Sequence, residues 1–404
     1  MKTKYNHIVF LRHHSGTFMW GGLGKLMLEW FKRIDYSACR VTFGISPGGK
    51  EFYEKRFTEN KIPVEVIEFP FNFITESYKN FNNMYRFLKA LKPSSVIFIQ
   101  GSFTDFCLAT VLAGFLVTRN NVYMHENYGV PIQTKKLSKY HLGIIPGIGF
   151  WWYKQRFFNK LRSLLSRKII VVGSEIKNQL IKLWGYPEYK VVLAYNGINL
   201  KEFHMPDERQ QIRKLLNIPD EDFIFIISSR LSKEKRIERA IEAFDRLAKQ
   251  RNNVWLVILG GGNLREELEQ LTQQKVCKNC IIFLGHIDDV SKYLNAADAY
   301  VSSSDTEGLS ISLLEAMASG IICLATNCSG SKEVIQNSQT GFLVEKSING
   351  VFQGMEKALA LNPKERNALS LRGIEFTNKH FEINRLVKNT LDEMRIPNII
   401  IGAN

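Results

Sequence analysis

Short apolar segments alternate along the chain with segments of helical periodicity. Runs of β-branched and aromatic residues predict strands, and apolar residues spaced three and four positions apart predict the amphipathic helices between them. The predicted strands lie at 7–11, 41–46, 64–69, 95–100, 121–125, 168–173, 190–194, 223–229, 255–260, 281–284 and 299–303. The predicted helices lie at 23–34, 103–118, 237–250, 264–274, 290–296, 309–319 and 381–394, and one more starts at 174. This alternation favours parallel sheets covered by helices, a doubly wound α/β architecture.

A segment rich in Asn and Gly interrupts the alternation near the middle of the chain. Residues 195–203 read YNGINLKEF, which is typical of a connector, and a second series of strands and helices follows it. A chain of 404 residues is long enough for two large domains. We therefore expect two Rossmann-like halves joined near residue 196 and facing each other across a cleft, with ligands bound beyond the carboxyl ends of the strands.

The composition is that of a folded protein with an unusual charge. Hydrophobic residues make up 45% of the chain, which excludes a mostly disordered protein. The 54 Lys and Arg residues outnumber the 39 Asp and Glu residues and give a net charge of +15. Such an excess indicates a polyanionic partner, which could be nucleic acid, an anionic membrane surface or a phosphorylated small molecule.

The apolar runs and the cysteines predict a cytoplasmic protein. The longest apolar runs, 106–118 and 142–152, are shorter than the roughly 18 residues that span a bilayer. The first apolar run, 8–11, is too short for a signal peptide. Six scattered cysteines indicate reduced thiols. Cys277 and Cys280 form one CxxC without a second, which favours a turn between a helix and a strand over a metal site.

The common nucleotide and hydrolase signatures are missing from the sequence, and several features at strand ends stand out instead. The sequence has no complete GxGxxG, Walker A, GxSxG or HExxH pattern. Gly21 and Gly22 follow the first strand and open a helix, where backbone N–H groups can approach an anion closely. An ordinary tight turn explains the same glycines. His125 ends another strand and is either a structural histidine or part of a site.

Charged residues follow two strands of the second half. Arg230 and Lys235 lie in SSRLSKEKR, where two cations could neutralise a diphosphate or simply solvate a turn. In SSSDTEGLSISLLEAMA, Glu307 is placed to accept hydrogen bonds from hydroxyls. The amides from Gly308 through Leu309 to Ser310 are expected to begin a helix and point at phosphate oxygens. Glu315 lies two turns further on an apolar helix and needs a donor such as a ribose diol.

At this point the chain resembles the retaining GT-B glycosyltransferases of the group 1 superfamily, glycosyltransferase family 4. The resemblance is strongest from about residue 168 onward and includes SSRLSKEKRIERAIEAF, VWLVILGGGNLREELE and the Glu-x7-Glu spacing of Glu307 and Glu315. It implies a GT-B fold with an acceptor-side domain at 1–195, a donor-binding domain at 196–380, and a helix at about 381–404 that crosses back to the first domain.

The resemblance also implies roles for the residues at the strand ends. Gly21 and Gly22 would close over the donor diphosphate, and His125 would lie near the transferred sugar. Arg230 and Lys235 would bind the diphosphate. Glu307 would hold sugar hydroxyls, and Glu315 the ribose of the nucleoside. The catalytic set is then His125, Arg230, Lys235 and Glu307, and the donor-binding set is Gly21, Gly22, Gly308, Leu309, Ser310 and Glu315.

The implied reaction needs a nucleotide sugar, UDP- or GDP-linked, and neither a cofactor nor a metal. The acceptor would be a hydroxyl on a lipid-linked or cell-envelope glycan or polysaccharide intermediate, and a soluble or protein acceptor stays open. Two departures from the family pattern concern the donor sugar's outer contacts. Ile321 stands where relatives often have Pro, and residues 328–331 read CSGS where they often have Gly-Gly.

A basic, aromatic stretch lies in the first half. Residues 127–174 contain no Asp or Glu but nine Lys and Arg residues, interleaved with Trp, Phe and Tyr. Trp151, Phe158, Leu161 and Leu165 recur at helical spacing. A basic amphipathic helix of this kind is typical of an interfacial membrane segment, although a core helix with a solvated rim fits too. The candidate membrane or acceptor surface comprises Trp151, Trp152, Lys154, Arg156, Phe158 and Lys160.

Three other function classes compete with sugar transfer. Nucleic-acid binding would explain the charge, but the sequence carries no RRM, KH or helix-turn-helix signature. Epimerases and phosphorylases share the GT-B fold but differ in motif. A scaffold that binds sugar nucleotides without catalysis is disfavoured by the charged residues that are kept, and hydrolysis of a donor by the pure protein would distinguish it from an enzyme. The sequence therefore predicts a cytoplasmic glycosyltransferase and leaves open a peripheral position on the inner face of the membrane.

Overall fold

The computed structural model describes residues 6–13, 22–69, 78–100, 108–127, 148–203 and 208–399. The chain divides into two compact units. Unit 1 comprises residues 1–196 and 384–404, and unit 2 comprises residues 197–383. Each unit contains one parallel β-sheet with helices in the connections between its strands.

The sheet of unit 1 has seven strands in the order β3-β2-β1-β4-β5-β6-β7, and neighbouring strands pair in parallel. The strands are β1 (Asn6–Arg12), β2 (Cys39–Ile45), β3 (Glu65–Glu68), β4 (Ser95–Gln100), β5 (Val122–Glu126), β6 (Lys168–Val171) and β7 (Val191–Leu193). The helices that connect them are α1 (Gly22–Lys32), α2 (Lys50–Glu59), α3 (Tyr78–Leu91), α4 (Leu108–Thr118), α5 (Ile148–Leu165) and α6 (Ser174–Lys182).

The sheet of unit 2 has six strands in the order β10-β9-β8-β11-β12-β13, again with parallel pairs. The strands are β8 (Phe223–Ser228), β9 (Val254–Leu259), β10 (Ile281–Gly285), β11 (Ala299–Ser302), β12 (Ile322–Thr326) and β13 (Phe342–Val344). The helices are α7 (Arg209–Leu215), α8 (Ile237–Ala248), α9 (Arg265–Gln273), α10 (Ser291–Ala296), α11 (Ile311–Ala318), α12 (Ser329–Val334), α13 (Ile348–Ala360) and α14 (Pro363–Phe381). A last helix, α15 (Ile383–Glu393), contributes its residues from Asn384 onward to unit 1.

The central strands of both sheets are buried on both faces, which explains their nearly continuous apolar sequences. Every residue of β8 is buried, and so is every residue of β1 after Asn6. In unit 1, Val9 and Phe98 belong to a cluster that packs against residues of α3 and α4. In unit 2, Phe225 and Phe244 belong to a larger cluster that joins β8 to α8. The apolar runs therefore specify the two cores directly.

The strand order reverses direction once in each sheet. In unit 1 the reversal lies between β1 and β4, and in unit 2 it lies between β8 and β11. At such a point the connections leave toward opposite faces and open a crevice at the carboxyl ends of the strands. The residues that follow β8 and β11 are thereby brought together.

Most predicted strands agree with the observed ones to within two residues. Helix α11 starts at Ile311, two residues later than predicted, and Cys277–Cys280 forms a 3-10 turn between α9 and β10. The predicted strand at 168–173 ends at Val171. No described helix is long and apolar enough to cross a membrane. The elements that the periodicity did not predict are α2, α3, α7, α12, α13, α14, β12 and β13.

A buried arginine ties α7 to the sheet of unit 2. The Arg213 side chain is fully buried and donates to the carboxylate of Asp298 at 2.7 Å. Its other nitrogens donate to the carbonyls of Ala296, Pro219, Asp220 and Asp222 at 2.8 to 3.1 Å. Because one guanidinium satisfies four carbonyls and a carboxylate, the connection between α7 and β8 depends on it.

Replacing this arginine should destabilise unit 2. We expect Arg213→Met to lower the free energy of unfolding by about 2–3 kcal/mol, since the buried pair with Asp298 is lost and the carbonyls of Asp220 and Asp222 lose the donor that Arg213 supplies. Lys214→Met, at the exposed neighbouring position, should change it by less than about 0.5 kcal/mol. Urea unfolding of both variants measures the difference, and an equal effect of the two would refute this account of α7.

Candidate functional site

A pocket lies where β8 and β11 end, at the reversal of strand order in unit 2. It is lined by Ile227, Ser228, Ser229, Lys235, Ile237, Tyr300, Val301, Ser302, Ser303, Ser304, Glu307, Ser310 and Ser312. Seven serines and a tyrosine supply hydroxyl groups, and Lys235 and Glu307 supply the charges. This lining suits a ligand rich in hydroxyls that also carries negative charge.

The two charged residues of the pocket form a buried ion pair. Lys235 Nζ lies 2.6 Å from Glu307 Oε1, and their side chains are only 12% and 6% exposed. Ser304 donates from Oγ to the same oxygen at 2.6 Å. The Lys235 ammonium therefore places a positive charge in the pocket, where it can attract the negative charge of a ligand. Lys235 ends a 3-10 turn, Lys233–Lys235, and Glu307 lies in the connection between β11 and α11.

The backbone around Glu307 is held by the start of α12. The carbonyl of Glu307 accepts hydrogen bonds from Ser329 Oγ at 2.9 Å and from the Gly330 amide at 3.2 Å. A Cβ atom on Gly330 would lie 2.8 Å from both Glu307 Cβ and the Gly308 carbonyl oxygen. Because no side chain fits there, the glycine lets α12 approach the loop that carries Glu307.

Tyr300 lies beneath the pocket as a fixed hydroxyl. Its side chain is buried and its phenol donates to the Ser228 carbonyl at 3.3 Å. Burial, followed by the nearby charges of Glu307 and Glu315, raises its pKa well above the ordinary value. The phenol therefore stays neutral and keeps its proton.

The predicted donor-binding segment lies at the pocket with one correction. Helix α11 begins at Ile311 because Ser310, its N-cap, has an extended backbone. The sequence had suggested that the amides from Gly308 to Ser310 begin the helix. In the structure they precede it and do not form its first turn. Ser310 lines the pocket, and Glu315 is buried on the second turn of α11.

Arg230 and Lys235 were predicted to bind the diphosphate together, but they lie at different places in the structure. Lys235 lines the pocket, whereas Arg230 is not among the lining residues. Its side chain is 50% exposed and pairs with Glu234 at 3.2 Å. The structure therefore brings Lys235, Glu307, Ser310 and the buried Glu315 into one region and leaves Arg230 at its margin.

In unit 1, His125 is a buried, neutral histidine on β5. Its ring packs edge-on against Trp30 with a centroid distance of 4.6 Å, and its Nδ1 lies 2.8 Å from Asn127 Nδ2. Burial lowers its pKa to about 3. Since the amide of Asn127 donates to Nδ1, the ring proton is assigned to Nε2. At neutral pH His125 can donate a hydrogen bond, but it does not titrate.

The residue after His125 belongs to a structural ion pair. Glu126 is 1% exposed and lies 3.4 Å from the guanidinium of Arg162, which also donates to the Tyr186 hydroxyl at 2.7 Å. The Arg162 side chain is 4% exposed. One of the nine cations of the basic stretch is therefore a buried counter-ion that fastens α5 to β5.

Helix α5 carries the described part of the candidate membrane surface. Lys160 is exposed, whereas Arg156 and Phe158 are partly buried. The exposed aromatic side chain is that of the neighbouring Phe157, at 59%, and Leu164 is 44% exposed. The exposed apolar face is therefore not the predicted stripe through Phe158. Gly21, the surroundings of Gly22, and the side chains of Trp151, Trp152 and Lys154 lie outside the described part of the chain.

Ser304 and Tyr300 escaped the sequence reasoning, and Ser329 and Gly330 entered it only as part of the CSGS departure from the family pattern. The serine triplet that ends β11 is the signal that could have identified Ser304. The contacts of Ser329 and Gly330 join segments more than twenty residues apart, so no local pattern shows them. Among the described residues, no group of three His, Cys, Asp or Glu side chains is arranged to hold a metal ion.

Two glycosyltransferase families match the chain in succession. Residues 8–202 match the model of Glycosyltransferase Family 4, and residues 208–376 match that of Glycosyl transferases group 1. Each match covers slightly less than half of the chain. The pocket and its ion pair lie within the group 1 region.

Proteins of similar sequence are named as glycosyltransferases too. An uncharacterized glycosyltransferase of Methanocaldococcus jannaschii is 31% identical over 201 residues, or 48% of this chain and 51% of the relative. The capsular polysaccharide biosynthesis glycosyltransferase CapM of Staphylococcus aureus is 24% identical over 260 residues, or 62% of this chain and 64% of the relative. The chain thus spans between about half and two thirds of the length of these relatives.

A solved structure shares the fold over nearly the whole chain. Anabaena HepE, crystallised with UDP and glucose, has a TM-score of 0.75 at 16% identity, covering 97% of this chain and all of HepE. The fold is GT-B.

The buried His125 should make stability depend on pH. Its pKa is about 3 in the folded protein and 6.5 ordinarily, so the unfolded chain binds one more proton between these pH values. The free energy of unfolding should therefore fall as pH is lowered, by about 1.4 kcal/mol per pH unit for this group. We expect His125→Phe to remove that part of the loss below pH 6.

Urea unfolding of both proteins from pH 8 to pH 4 measures the effect. Above pH 7.5 the difference between the two proteins should be constant, which serves as the internal control. Parallel curves down to pH 4 would show that the histidine is not kept neutral by burial.

Proposed function

The chain belongs to the group 1 glycosyltransferases of GT-B fold, and we propose that it transfers a sugar from a nucleotide-sugar donor to an acceptor hydroxyl. The observation that carries this proposal is the buried pair of Lys235 and Glu307 in a hydroxyl-lined pocket. The pocket lies at the carboxyl ends of β8 and β11, where doubly wound sheets bind ligands. The solved HepE structure, which contains UDP and glucose, supports a UDP-sugar as the first donor to test.

The charges of the pocket fit the parts of such a donor. Lys235 would bind the diphosphate through its positive charge, since its side chain lines the pocket beside Glu307. Glu307 would accept hydrogen bonds from sugar hydroxyls, and the serines would contribute further bonds. Glu315, buried on α11, would hold the ribose. Arg230 would join the diphosphate only after leaving Glu234, since it pairs with that residue outside the pocket lining.

The proposed reaction retains the anomeric configuration and needs no metal. The bond between the anomeric carbon and the diphosphate oxygen breaks, and the acceptor oxygen bonds to the same face of that carbon. The departing diphosphate gains negative charge, which the Lys235 ammonium would stabilise. Because the acceptor hydroxyl lies beside the departing oxygen, that oxygen can take its proton. His125 would act as a neutral hydrogen-bond donor from Nε2 and would not transfer a proton, because its pKa is about 3.

We propose a cell-envelope glycan or a lipid-linked intermediate as the acceptor. The relative from Staphylococcus aureus is named for capsular polysaccharide biosynthesis, which supports an acceptor of this class. The acid-free stretch 127–174 gives unit 1 a local excess of positive charge. An anionic lipid surface or a glycan carried on a lipid diphosphate would complement it.

Helix α5 would provide the contact with an anionic membrane surface. Phe157, Lys160 and Leu164 occupy positions i, i+3 and i+7, so they share one face of the helix. All three are exposed. An exposed aromatic, a lysine and a leucine on one face suit an interfacial contact, in which apolar groups enter the headgroup region and the cation binds anionic lipid.

Removing either charge of the pocket should abolish transfer while the protein stays folded. We expect Lys235→Ala and Glu307→Ala each to lower kcat at least about a hundredfold, because the leaving group or the sugar loses its fixed partner. Lys233→Ala, at the exposed start of the same 3-10 turn, is the matched control and should keep full activity. The assay measures release of nucleoside diphosphate from UDP-, GDP- and ADP-sugars, with circular dichroism as the test of folding.

The same reaction tests the finer parts of the proposal. The anomeric proton signal of the product shows whether configuration is retained, and activity in excess EDTA shows whether a metal is needed. Full activity of both alanine variants would remove the site assignment. A wild-type protein that binds a donor but never cleaves it would favour a non-catalytic scaffold.

Membrane binding should depend on anionic lipid and on the exposed face of α5. We expect flotation with vesicles of phosphatidylcholine and phosphatidylglycerol, and much less with phosphatidylcholine alone. Phe157→Ser should weaken binding about tenfold and Lys160→Ser about fivefold. Leu371→Ser, at a residue 51% exposed in unit 2, is the control and should bind like the wild type. Equal binding to both kinds of vesicle would contradict the proposed surface.

A further inference from the structure

An arginine in the first turn of α8 contacts the loop that carries Glu307. Arg239 is 8% exposed and lies four residues after Lys235. Its guanidinium donates to the Ser303 carbonyl at 2.7 Å and to Asp305 Oδ1 at 2.7 Å. Arg239 does not line the pocket, so its contacts lie behind the surface that faces a ligand.

These contacts join the two chain segments that supply the ion pair. One segment runs from Glu234 into α8 and contains Lys235, and the other runs from Ser303 to Glu307. The Asp305 amide donates to the Glu234 carbonyl at 2.9 Å. Ser303 Oγ donates to the carbonyls of Lys235 and Arg236 at 3.0 and 2.8 Å. Other charged contacts cross this seam as well, since Arg236 Nε lies 3.5 Å from Asp305 Oδ2 and Lys235 pairs with Glu307; Arg239 is the buried guanidinium among them.

The seam controls where the Glu307 carboxylate lies. A single residue separates Asp305 from Glu307, so a shift of the Asp305 backbone would also displace Glu307. The planar guanidinium of the buried Arg239 binds two acceptors in a fixed geometry, and one of them is the partly exposed Asp305 carboxylate. On the opposite side Ser329 and Gly330 hold the Glu307 carbonyl, so the loop is fixed from two directions.

We propose that Arg239 is a positioning residue that sets Glu307 opposite Lys235 and thereby lets the pocket recognise the sugar of the donor. This inference rests on the proposed function, in which Glu307 contacts sugar hydroxyls and Lys235 contacts the diphosphate. Without Arg239 the loop can move while Lys235 stays on its turn. The variant should then lose more affinity for the sugar part of the donor than for its nucleotide part.

The test compares two affinities in the same protein. Calorimetric titration with UDP, GDP and ADP and with their glucose conjugates first identifies the pair that the wild type binds best. The measured quantity is the affinity for the nucleotide sugar divided by that for the bare nucleoside diphosphate. We expect Arg239→Met to lower this ratio at least about tenfold. A purely structural role would reduce the folded fraction and scale both affinities alike.

Three further variants make the result specific. Arg246→Met, at an exposed position of α8, should leave the ratio unchanged. Arg239→Lys keeps a cation and should lie between the wild type and Arg239→Met. In a Glu307→Gln background, Arg239→Met should lower the ratio no further, because the residue through which Arg239 acts is already impaired. If Arg239→Met does not fold, Arg239→Lys and Asp305→Asn carry the comparison.

The outcomes separate the two proposals. An unchanged ratio in Arg239→Met, or an equal further loss in the Glu307→Gln background, would overturn the positioning role and leave the proposed function standing. A wild-type protein that binds none of the six compounds would overturn the proposed function and this inference with it. A lower ratio in Arg239→Met and in Glu307→Gln, with no further loss when the two are combined and none in Arg246→Met, would support both.

Discussion

The burial of one carboxylate beside one ammonium constrains most of the architecture around the pocket. Glu307 is 6% exposed, and an isolated carboxylate at that depth would not stay ionised, so it needs a cation and further donors. Lys235 supplies the cation and Ser304 a hydroxyl. Because these residues come from different strand ends, their chain segments must be fixed against each other. Two contacts do this. Ser303 Oγ donates a hydrogen bond to the Arg236 carbonyl, and Gly330, which has no side chain, leaves room for α12 to approach the loop of Glu307.

The same kind of sheet edge is used differently in the two units. In unit 2 the charged pair lines a pocket, where a ligand can reach it. In unit 1 the residues at the end of β5 pack within the protein. Glu126 pairs with Arg162, and His125 contacts Asn127 and Trp30. Burial therefore keeps His125 neutral, whereas the ammonium of Lys235 lies at a pocket beside a carboxylate.

Structural features that depend on neighbouring residues could be predicted from the sequence. Features that depend on contacts between distant residues could not. The strands β1, β4, β8 and β11 could be predicted because both faces of a central parallel strand are buried, which leaves continuous apolar runs. The spacing of Glu307 and Glu315 indicated the candidate site through a family resemblance.

The predicted start of α11 was wrong by two residues because the extended backbone of Ser310 is set by its surroundings. The exposed face of α5 was misplaced because periodicity shows a stripe at Phe158 but not which stripe packs inward. The support that Arg239 gives to Ser303 joins residues 64 positions apart, beyond the reach of any local pattern.

The net charge of +15 becomes informative only after the cations are sorted by burial. Arg162, Arg213 and Arg239 are all buried, and their guanidinium groups hold carbonyls and carboxylates of the protein itself. Such arginines contribute to the formal charge but offer no donor to an external anion, so the total overstates the attraction for polyanions. Lys235 and Lys160 differ, because one faces the pocket and the other the solvent. Two proposed local sites, a diphosphate site at Lys235 and an anionic-surface contact at Lys160, would therefore account for the chemistry better than a field spread over the whole molecule.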